Sequence, residues 1–252
     1  MDTTMKQTNT YIYGKHAVSE AIENKPEIIK VIFRAYRTED KALDALIKKS
    51  GIKVKEMTGN NQAGDDVAHQ GVLAEIDPQK MLLPYKEFID GLTVTTDTVI
   101  VLLDELQDPH NVGAIIRSAA GFGIAGVLIP EHDQVQVTGA VVKVSAGMAF
   151  RIPLVSVGNV NTTVRDLKEK GFWIYGLSGE GKNSLNKEKF DSPTCFILGN
   201  EGKGIRQKTE ELCDIHLSIP MHPQCESLNV AAAGAVVFHE WSKQHPNALN
   251  TK

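Results

Sequence analysis

An arginine six residues past an asparagine, a glutamate set among three glycines, and a Ser-Leu-Asn triplet before an alanine-rich run are where this chain could do chemistry. The first pair lies in LDELQDPHNVGAIIRSAAGFG (103–123). An apolar strand ends at Leu103, a polar loop follows, and Asn111 stands at the expected N-cap of a helix that carries Arg117 about two turns in. Gly113, Ala114, Ala119, Ala120, Gly121 and Gly123 keep that helix thin, so another backbone can come close. As scaffold, this is a small-residue helix on a sheet with Arg117 in a surface ion pair. As a site, it sets a guanidinium at the loop end of an α/β sheet, where such folds take ligands and where two parallel hydrogen bonds can clamp a phosphate.

The second stretch, FILGNEGKGI (196–205), runs a buried strand into Gly199, Gly202 and Gly204, interleaved with Asn200, Glu201 and Lys203. Bare backbone N–H and C=O groups there suit the adenine and ribose edges of a ligand. Neither a Walker loop nor a G-x-G-x-x-G between strand and helix is present, so a conventional nucleotide fold lacks its fingerprint. Taken alone, the loop is equally a tight turn. The third stretch, LSIPMHPQCESLNVAAAGAVVFHEW (217–241), meets Pro220, passes through a polar loop to Glu226, and places Ser227 to cap a helix. Asn229 falls inside the first turn of that helix, where propensity disfavours it. A polar Ser-x-Asn at the mouth of an apolar helix marks either a site or a plain cap.

Two sets of elements must position these residues. Tyr11 to about Asp77 reads as a small α/β unit. A helix carries Ala17, Val18, Ala21 and Ile22, IIKVIF (28–33) is a strand, EDKALDALIKKSG (39–51) is an amphipathic helix, and IKVKEM (52–57) and VLAEI (72–76) are strands. Residues 78–97 carry two prolines and little periodicity and read as a linker. From 98 to 252, strands at 98–106, 127–130, 152–157, 172–178 and 194–200 alternate with helices at 112–123, 161–170 and 227–244. Continuous apolar strands alternating with helices predict an α/β domain with a mostly parallel sheet covered on both faces. The domains are thus 1–77, a linker at 78–97, and 98–252.

With 252 residues, 42% hydrophobic, 23% charged and 6% aromatic, the chain falls in the globular range and outside the disordered, collagen-like and coiled-coil classes. No apolar run reaches the ~18 residues of a membrane helix. The polar start MDTTMKQTNT shows no secretion signal, and three cysteines without a C-x-x-C suit a reducing compartment. A cytoplasmic protein is expected. Charge is uneven: residues 1–55 hold 11 Lys/Arg against 7 Asp/Glu, whereas 56–252 hold 16 against 24. A locally basic segment on an acidic chain is either a solvated helix face or a polyanion-binding face.

Taken in order, N-V-G-x-x-x-R, L-G-N-E-G-x-G and I-P-M…S-L-N-V resemble the SpoU (TrmH) family of RNA 2′-O-ribose methyltransferases, over about Thr98 to Lys243. The opening Tyr-x-x-Gly-x-His-A-V-x-E-A (Tyr11–Ala21) is similar to the branch that modifies guanosine in large-subunit ribosomal RNA, whose small N-terminal α/β domain binds substrate. The resemblance implies a SPOUT fold with a deep trefoil knot, an exception to the rule that chains do not thread themselves. It also implies S-adenosylmethionine as cofactor, bound mainly by backbone, RNA rather than DNA as partner, no membrane, and a homodimer whose site is completed across the interface. By motif position, Gly199, Gly202, Ile219, Pro220, Met221, Leu228 and Asn229 would hold or adjoin the cofactor. Arg117 would be the principal catalytic residue, with Asn111, Glu201, Ser227 and Asn229 around it.

Those residue types fit the reaction. A ribose 2′-hydroxyl is a poor nucleophile that must lose its proton and meet the methyl carbon in line, at ~3–3.5 Å. Arginine normally stays protonated, so Arg117 is read as phosphate clamp and hydroxyl activator, with the literal base unassigned. The family usually has a small glycine-containing loop where this chain has His222-Pro223-Gln224-Cys225-Glu226. His222 and Cys225 are too few for zinc, so no metal is expected. Lys15, Lys25, Lys30, Arg34, Arg37, Lys48, Lys49, Lys53 and Lys55 are candidate phosphate contacts, and Tyr13 and His16 either stack on a base or pack the core. The expected function is methylation of a guanosine ribose in 23S ribosomal RNA. The alternatives are the same reaction on transfer RNA and an inactive knotted protein of RNA binding or ribosome assembly.

Overall fold

A computed structural model describes residues 10–35, 40–57, 70–179 and 181–250. They form two compact units, one of residues to Met81 together with Val137–Phe150, the other of Leu82–Gln136 and Arg151 onward.

The first unit builds a four-stranded sheet in the order β1-β4-β2-β3, from β1 (Thr10–Tyr13), β2 (Ile29–Arg34), β3 (Val54–Glu56) and β4 (Val72–Ile76). Helices α1 (Lys15–Asn24) and α2 (Lys41–Ser50) join them. Asp40 caps α2 by accepting from Leu43 N at 3.1 Å, which also holds the Asp40 carboxyl below its ordinary range, and Gly51 ends the helix at φ 68°. Ala17, Val18, Ala21 and Ile22 are buried, so the expected face of α1 is the one that packs.

The second unit holds β5 (Leu82–Pro84), α3 (Tyr85–Gly91), β6 (Val99–Asp104), α4 (Pro109–Gly121) and β7 (Gly126–Pro130). The next helix, α5 (Gly139–Val144), groups with the first unit and packs on β1. Gly139 is required there because a side-chain carbon would stand 2.0 Å from Tyr11 O. The second unit resumes with β8 (Leu154–Val157), α6 (Val160–Glu169), β9 (Trp173–Leu177), β10 (Asn183–Ser184), β11 (Thr194–Gly199), α7 (Gln207–Glu210), β12 (Ile215–Ser218) and α8 (Val230–Gln244). Its eight-stranded sheet runs β10-β12-β9-β11-β6-β7-β8-β5, and every pairing in it is parallel.

Residues 78–97 are more than the expected linker: β5 pairs with β8 as the sheet edge, and α3 buries Phe88 and Ile89. A three-residue strand ending in proline and a seven-residue helix are too short to show a period in sequence. All six residues of β6 and of β11 are buried, which is why their sequences lack alternation. At the end of α8 the His245 ring stacks on Trp241, with Nδ1 2.7 Å from Asp97 Oδ1 and Nε2 2.9 Å from Phe190 O.

Burial separates the three thiols. Cys195 is fully enclosed in β11 with its pKa raised by desolvation, and burial pushes the Cys213 thiol up to about 12, whereas Cys225 is exposed. A disulfide-exchange reagent at pH 8 is therefore expected to label one thiol quickly in the native protein and three after denaturation, since the thiolate is the reactive form. Rapid labelling of Cys213 in the native state would contradict this packing.

Candidate active site

The carboxyl ends of β6 and β11 lie side by side, Leu103 opposite Leu198 and Asp104 opposite Gly199, at the point where the chain order of the sheet reverses. Past Gly199 the chain doubles back. Asn200 and Gly204 exchange both backbone hydrogen bonds, at 2.9 and 2.8 Å, and Gly204 takes φ 71°. The Asn200 side chain fixes the turn: its Oδ1 accepts from Gly202 N and Lys203 N at 3.0 and 3.1 Å, and its Nδ2 donates to Glu105 O at 2.8 Å. Glu201 is thereby held at the tip.

From Glu201 an oriented chain of hydrogen bonds runs to the start of α8. Asn111 Nδ2 donates to Glu201 Oε1 at 2.5 Å, and Asn229 Nδ2 donates to Asn111 Oδ1 at 2.8 Å. Asn229 Oδ1 accepts from Ala231 N and Ala232 N, at 2.9 and 3.3 Å. Two backbone donors on Oδ1 leave Asn229 only its Nδ2 to present to Asn111, so both amides have a fixed sense. The positive end of α8 is thus relayed through two amides to a carboxylate.

Two capping expectations are corrected by this arrangement. The N-cap of α4 is Asp108, which accepts from His110 N at 2.8 Å with Pro109 following, so Asn111 sits within the first turn, 8% exposed. Its side chain is free for Glu201 because another residue caps the helix. Likewise Asn229, not Ser227, caps α8. The asparagine that propensity disfavours inside a helix lies just outside it.

A cavity of about 180 Å³ adjoins Glu201. Of the expected cofactor residues, Gly199, Ile219, Met221 and Leu228 line it, as do Glu201 and Ser227. Gly202 lies in the turn, Pro220 is exposed, and Asn229 holds the neighbouring cap, so these three are outside the lining. Leu177, Gly179, Leu198 and Leu217 also form its wall and were not singled out in sequence. They stand within two residues of the ends of β9, β11 and β12, which become neighbours only once strand order is known. Apolar side chains interleaved with open backbone at strand ends suit a flat heterocycle with polar edges.

Arg117 is exposed on α4 and, among the described residues, no hydrogen bond or ion pair joins it to Asn111, Glu201, Ser227 or Asn229. Asp104 and Arg206, missed in sequence, brace the site instead. Asp104 is fully buried and receives Arg206 N, Nε and Nη2 at 3.0, 2.8 and 2.6 Å, while Arg206 Nη1 reaches Glu105 at 3.2 Å. This clamp fixes Glu105, at φ 64°, whose carbonyl holds Asn200. The exposed His222–Glu226 loop offers no metal centre, and no cluster of metal-ligating side chains occurs among the described residues.

The SpoU rRNA methylase family model matches residues 98–239, which include all of this site. The chain belongs to the SpoU rRNA methylase family. A second model, RNA 2′-O ribose methyltransferase substrate binding, matches residues 11–82. The chain is 35% identical to the 23S rRNA (guanosine-2′-O-)-methyltransferase RlmB of Xanthomonas campestris, over 97% of this chain and 100% of that protein. It is 34% identical to the enzyme of the same name from Shewanella oneidensis, over 92% and 96%. The fold is similar to the crystal structure of the SpoU methyltransferase AviRb from Streptomyces viridochromogenes, with TM-score 0.80 and 24% identity over 96% of this chain and 92% of that one. An rRNA methyltransferase from Sinorhizobium meliloti aligns at TM-score 0.76 and 19% identity, over 93% and 87%. These likenesses establish for a SpoU family member the α/β fold with a parallel sheet.

The Asn229 link gives a sharp test. Asn229→Ala removes a helix cap and a buried amide partner and is expected to destabilise the protein by about 1–2 kcal/mol. Asn229→Asp keeps an acceptor for the cap but sets a carboxylate oxygen against Asn111 Oδ1 in place of the donor, so stability should again fall by about 1–2 kcal/mol while turnover falls about 10–100-fold. Equal turnover in the Asp variant and the parent would show that the relay is structural only.

Proposed function

We propose that this protein transfers the methyl group of S-adenosylmethionine to a ribose 2′-hydroxyl of structured RNA, at a guanosine of 23S ribosomal RNA. The observation that carries the reading is the relay from the α8 N-terminus through Asn229 and Asn111 to Glu201, on the rim of a cavity walled by Gly199, Ile219, Met221 and Leu228. The identity of 34–35% with relatives named for that reaction, over nearly the whole chain, supports the substrate.

The cavity fits the cofactor: its leucines and isoleucine offer an apolar slot, and the close Gly199–Gly204 approach leaves backbone groups at the slot edge. When bound, S-adenosylmethionine supplies an electrophilic methyl group. Gly199, Ile219, Met221 and Leu228 hold it, Gly202 and Pro220 shape the loops around it, and Ser227 and Asn229 set the mouth. Glu201 and Asn111 accept and orient the hydroxyl side of the substrate. Arg117 clamps the adjoining phosphate and favours loss of the hydroxyl proton.

Arg117 is exposed and, among the described residues, has no hydrogen bond or ion pair to the relay, and α8 presents Val236 at 41% exposure beside exposed Ala232. Both features support a homodimer in which Arg117 of a second copy completes the site. The trefoil knot is carried over from the family to which the chain belongs. We assign RNA reading to residues 1–77. There Lys48, Lys49 and Lys53 are exposed without an acidic partner among the described residues, whereas Lys15, Lys30 and Arg34 pair with Asp40, Glu75 and Asp44. Lys25 donates to Met81 O, Lys55 lies over the Phe33 ring, and Arg37 falls outside the described residues. Tyr13 is partly buried against Gly139, and the exposed His16 lies 3.1 Å from Ala146 O. Among the described residues no helix is long and apolar enough to cross a membrane. We read the protein as a cytoplasmic enzyme whose partner is RNA rather than DNA or a membrane.

The test is transfer of tritium from labelled S-adenosylmethionine to unmodified total RNA, followed by separation of the RNA species. Label in 23S RNA is expected. Label in transfer RNA would move the substrate, bound cofactor without transfer would favour an idle assembly protein, and absence of cofactor binding would overturn the reading.

A further inference from the structure

A second, larger cavity of about 480 Å³ opens at the carboxyl ends of β7 and β8, beside the start of α6 and the segment that follows the Glu201 turn. Its lining differs in kind from the cofactor cavity. His132, Asn161, Arg206, Gln207, Lys208 and Thr209 line it beside Pro130 and Val160, and His132 is its one aromatic ring. The charged, amide and hydroxyl side chains of this wall match a ribose–phosphate backbone, which is recognised by Arg, Lys, amides and hydroxyls.

The side chains are also aimed for that use. Thr209 Oγ1 donates to Asn161 Oδ1 at 2.9 Å, which leaves the amide N–H donors of Asn161 for a ligand. Arg206 spends Nε and one hydrogen on each Nη on Asp104 and Glu105, so each Nη keeps one N–H. Lys208 is exposed and has no acidic partner among the described residues. Asp133 is the one carboxylate in the lining, against the two cations Arg206 and Lys208. Arg206 also braces Glu105, which holds Asn200 and the Glu201 turn, so the cavity is mechanically continuous with the relay.

We propose that this cavity is a second RNA subsite, holding the backbone phosphate of a nucleotide that flanks the methylated one. The inference rests on the RNA methyltransferase reading above. Lys208 and Asn161 bind that phosphate, His132 faces the adjoining sugar, and Arg206 couples its occupancy to the position of Glu201. The subsite gives affinity and register without base preference.

The experiment compares the full-length protein with Lys208→Glu, with the double variant His132→Ala/Lys208→Ala, and with Lys170→Ala at the far end of α6 as control. RNA affinity for a 23S transcript is read by filter binding across a salt series, and cofactor affinity by calorimetry. Lys208→Glu should weaken RNA binding by about tenfold, and the double variant should lower the salt slope by about one, while cofactor affinity and the Lys170→Ala slope match the parent. Parental affinity and slope in both cavity variants would overturn the subsite and leave the methyltransferase reading intact. A parent that binds the transcript with the expected slope but transfers no methyl group would fail the reading of function, while the cavity variants still decide the subsite. A parent that binds no RNA would overturn both.

Discussion

Arg117→Ala should lower methyl transfer by about 10³-fold, the scale of losing a group that acts only on the developing charge. Cofactor affinity should stay within twofold. The variant should fold as well as the parent, because Arg117 is exposed, makes no hydrogen bond to described residues, and alanine suits a helix better. Few residues separate chemistry from folding so cleanly. If the site is completed by a second copy, mixing Arg117→Ala with Glu201→Ala protein should restore activity. A mixed dimer then joins an intact cavity and Glu201 from one chain to Arg117 from the other, giving up to about a quarter of parental turnover. A mixture as inactive as its components would place Arg117 and Glu201 in the same chain's site.

Gly199→Ala is expected to have the largest effect on cofactor binding. A carbon added at Gly199 would lie 2.4 Å from Gly204 C and Ile205 N and 2.6 Å from Gly204 O, all backbone. No flexible side chain can move aside, since Asn200 and Gly204 lock the turn by two hydrogen bonds and Gly204 needs its positive φ. The turn must open, which displaces Glu201 and the cavity wall together. The strain is about 3 kcal/mol, and if most of it falls on the occupied site cofactor affinity drops about 100-fold. Gly202→Ala is the contrast. Its nearest neighbour is Asn200 Oδ1 at 3.7 Å, so its effect should be slight. Similar losses from the two would show that glycine content, rather than the Gly199 contact, governs the loop.

The two substitutions also show what could be read in sequence. The β6 and β11 strands were legible because fully buried parallel strands appear as unbroken apolar runs, and the three motifs identified Asn111, Glu201, Asn229 and the Gly199 loop. What was illegible depended on distance along the chain. Asp104 and Arg206 are 102 residues apart, and nothing local marks a buried carboxylate that will meet a guanidinium. The caps were misplaced by one turn at α4 and by two residues at α8, because Asp108 and Ser227 offered competing capping side chains. The small β5 and α3 elements hold the sheet edge through pairing with β8, a stabilisation that propensity does not contain. That no hydrogen bond joins Arg117 to the relay among the described residues is visible only in three dimensions.

The claim that this protein acts on a ribose hydroxyl is tested most directly by alkaline hydrolysis of 23S RNA that it has labelled. A 2′-O-methyl group removes the nucleophile for backbone cleavage, so the label should survive in an alkali-stable dinucleotide whose 5′ residue is 2′-O-methylguanosine. Label recovered in mononucleotides would mean methylation of a base, and would contradict the role given to Arg117, Glu201, Asn111 and Asn229.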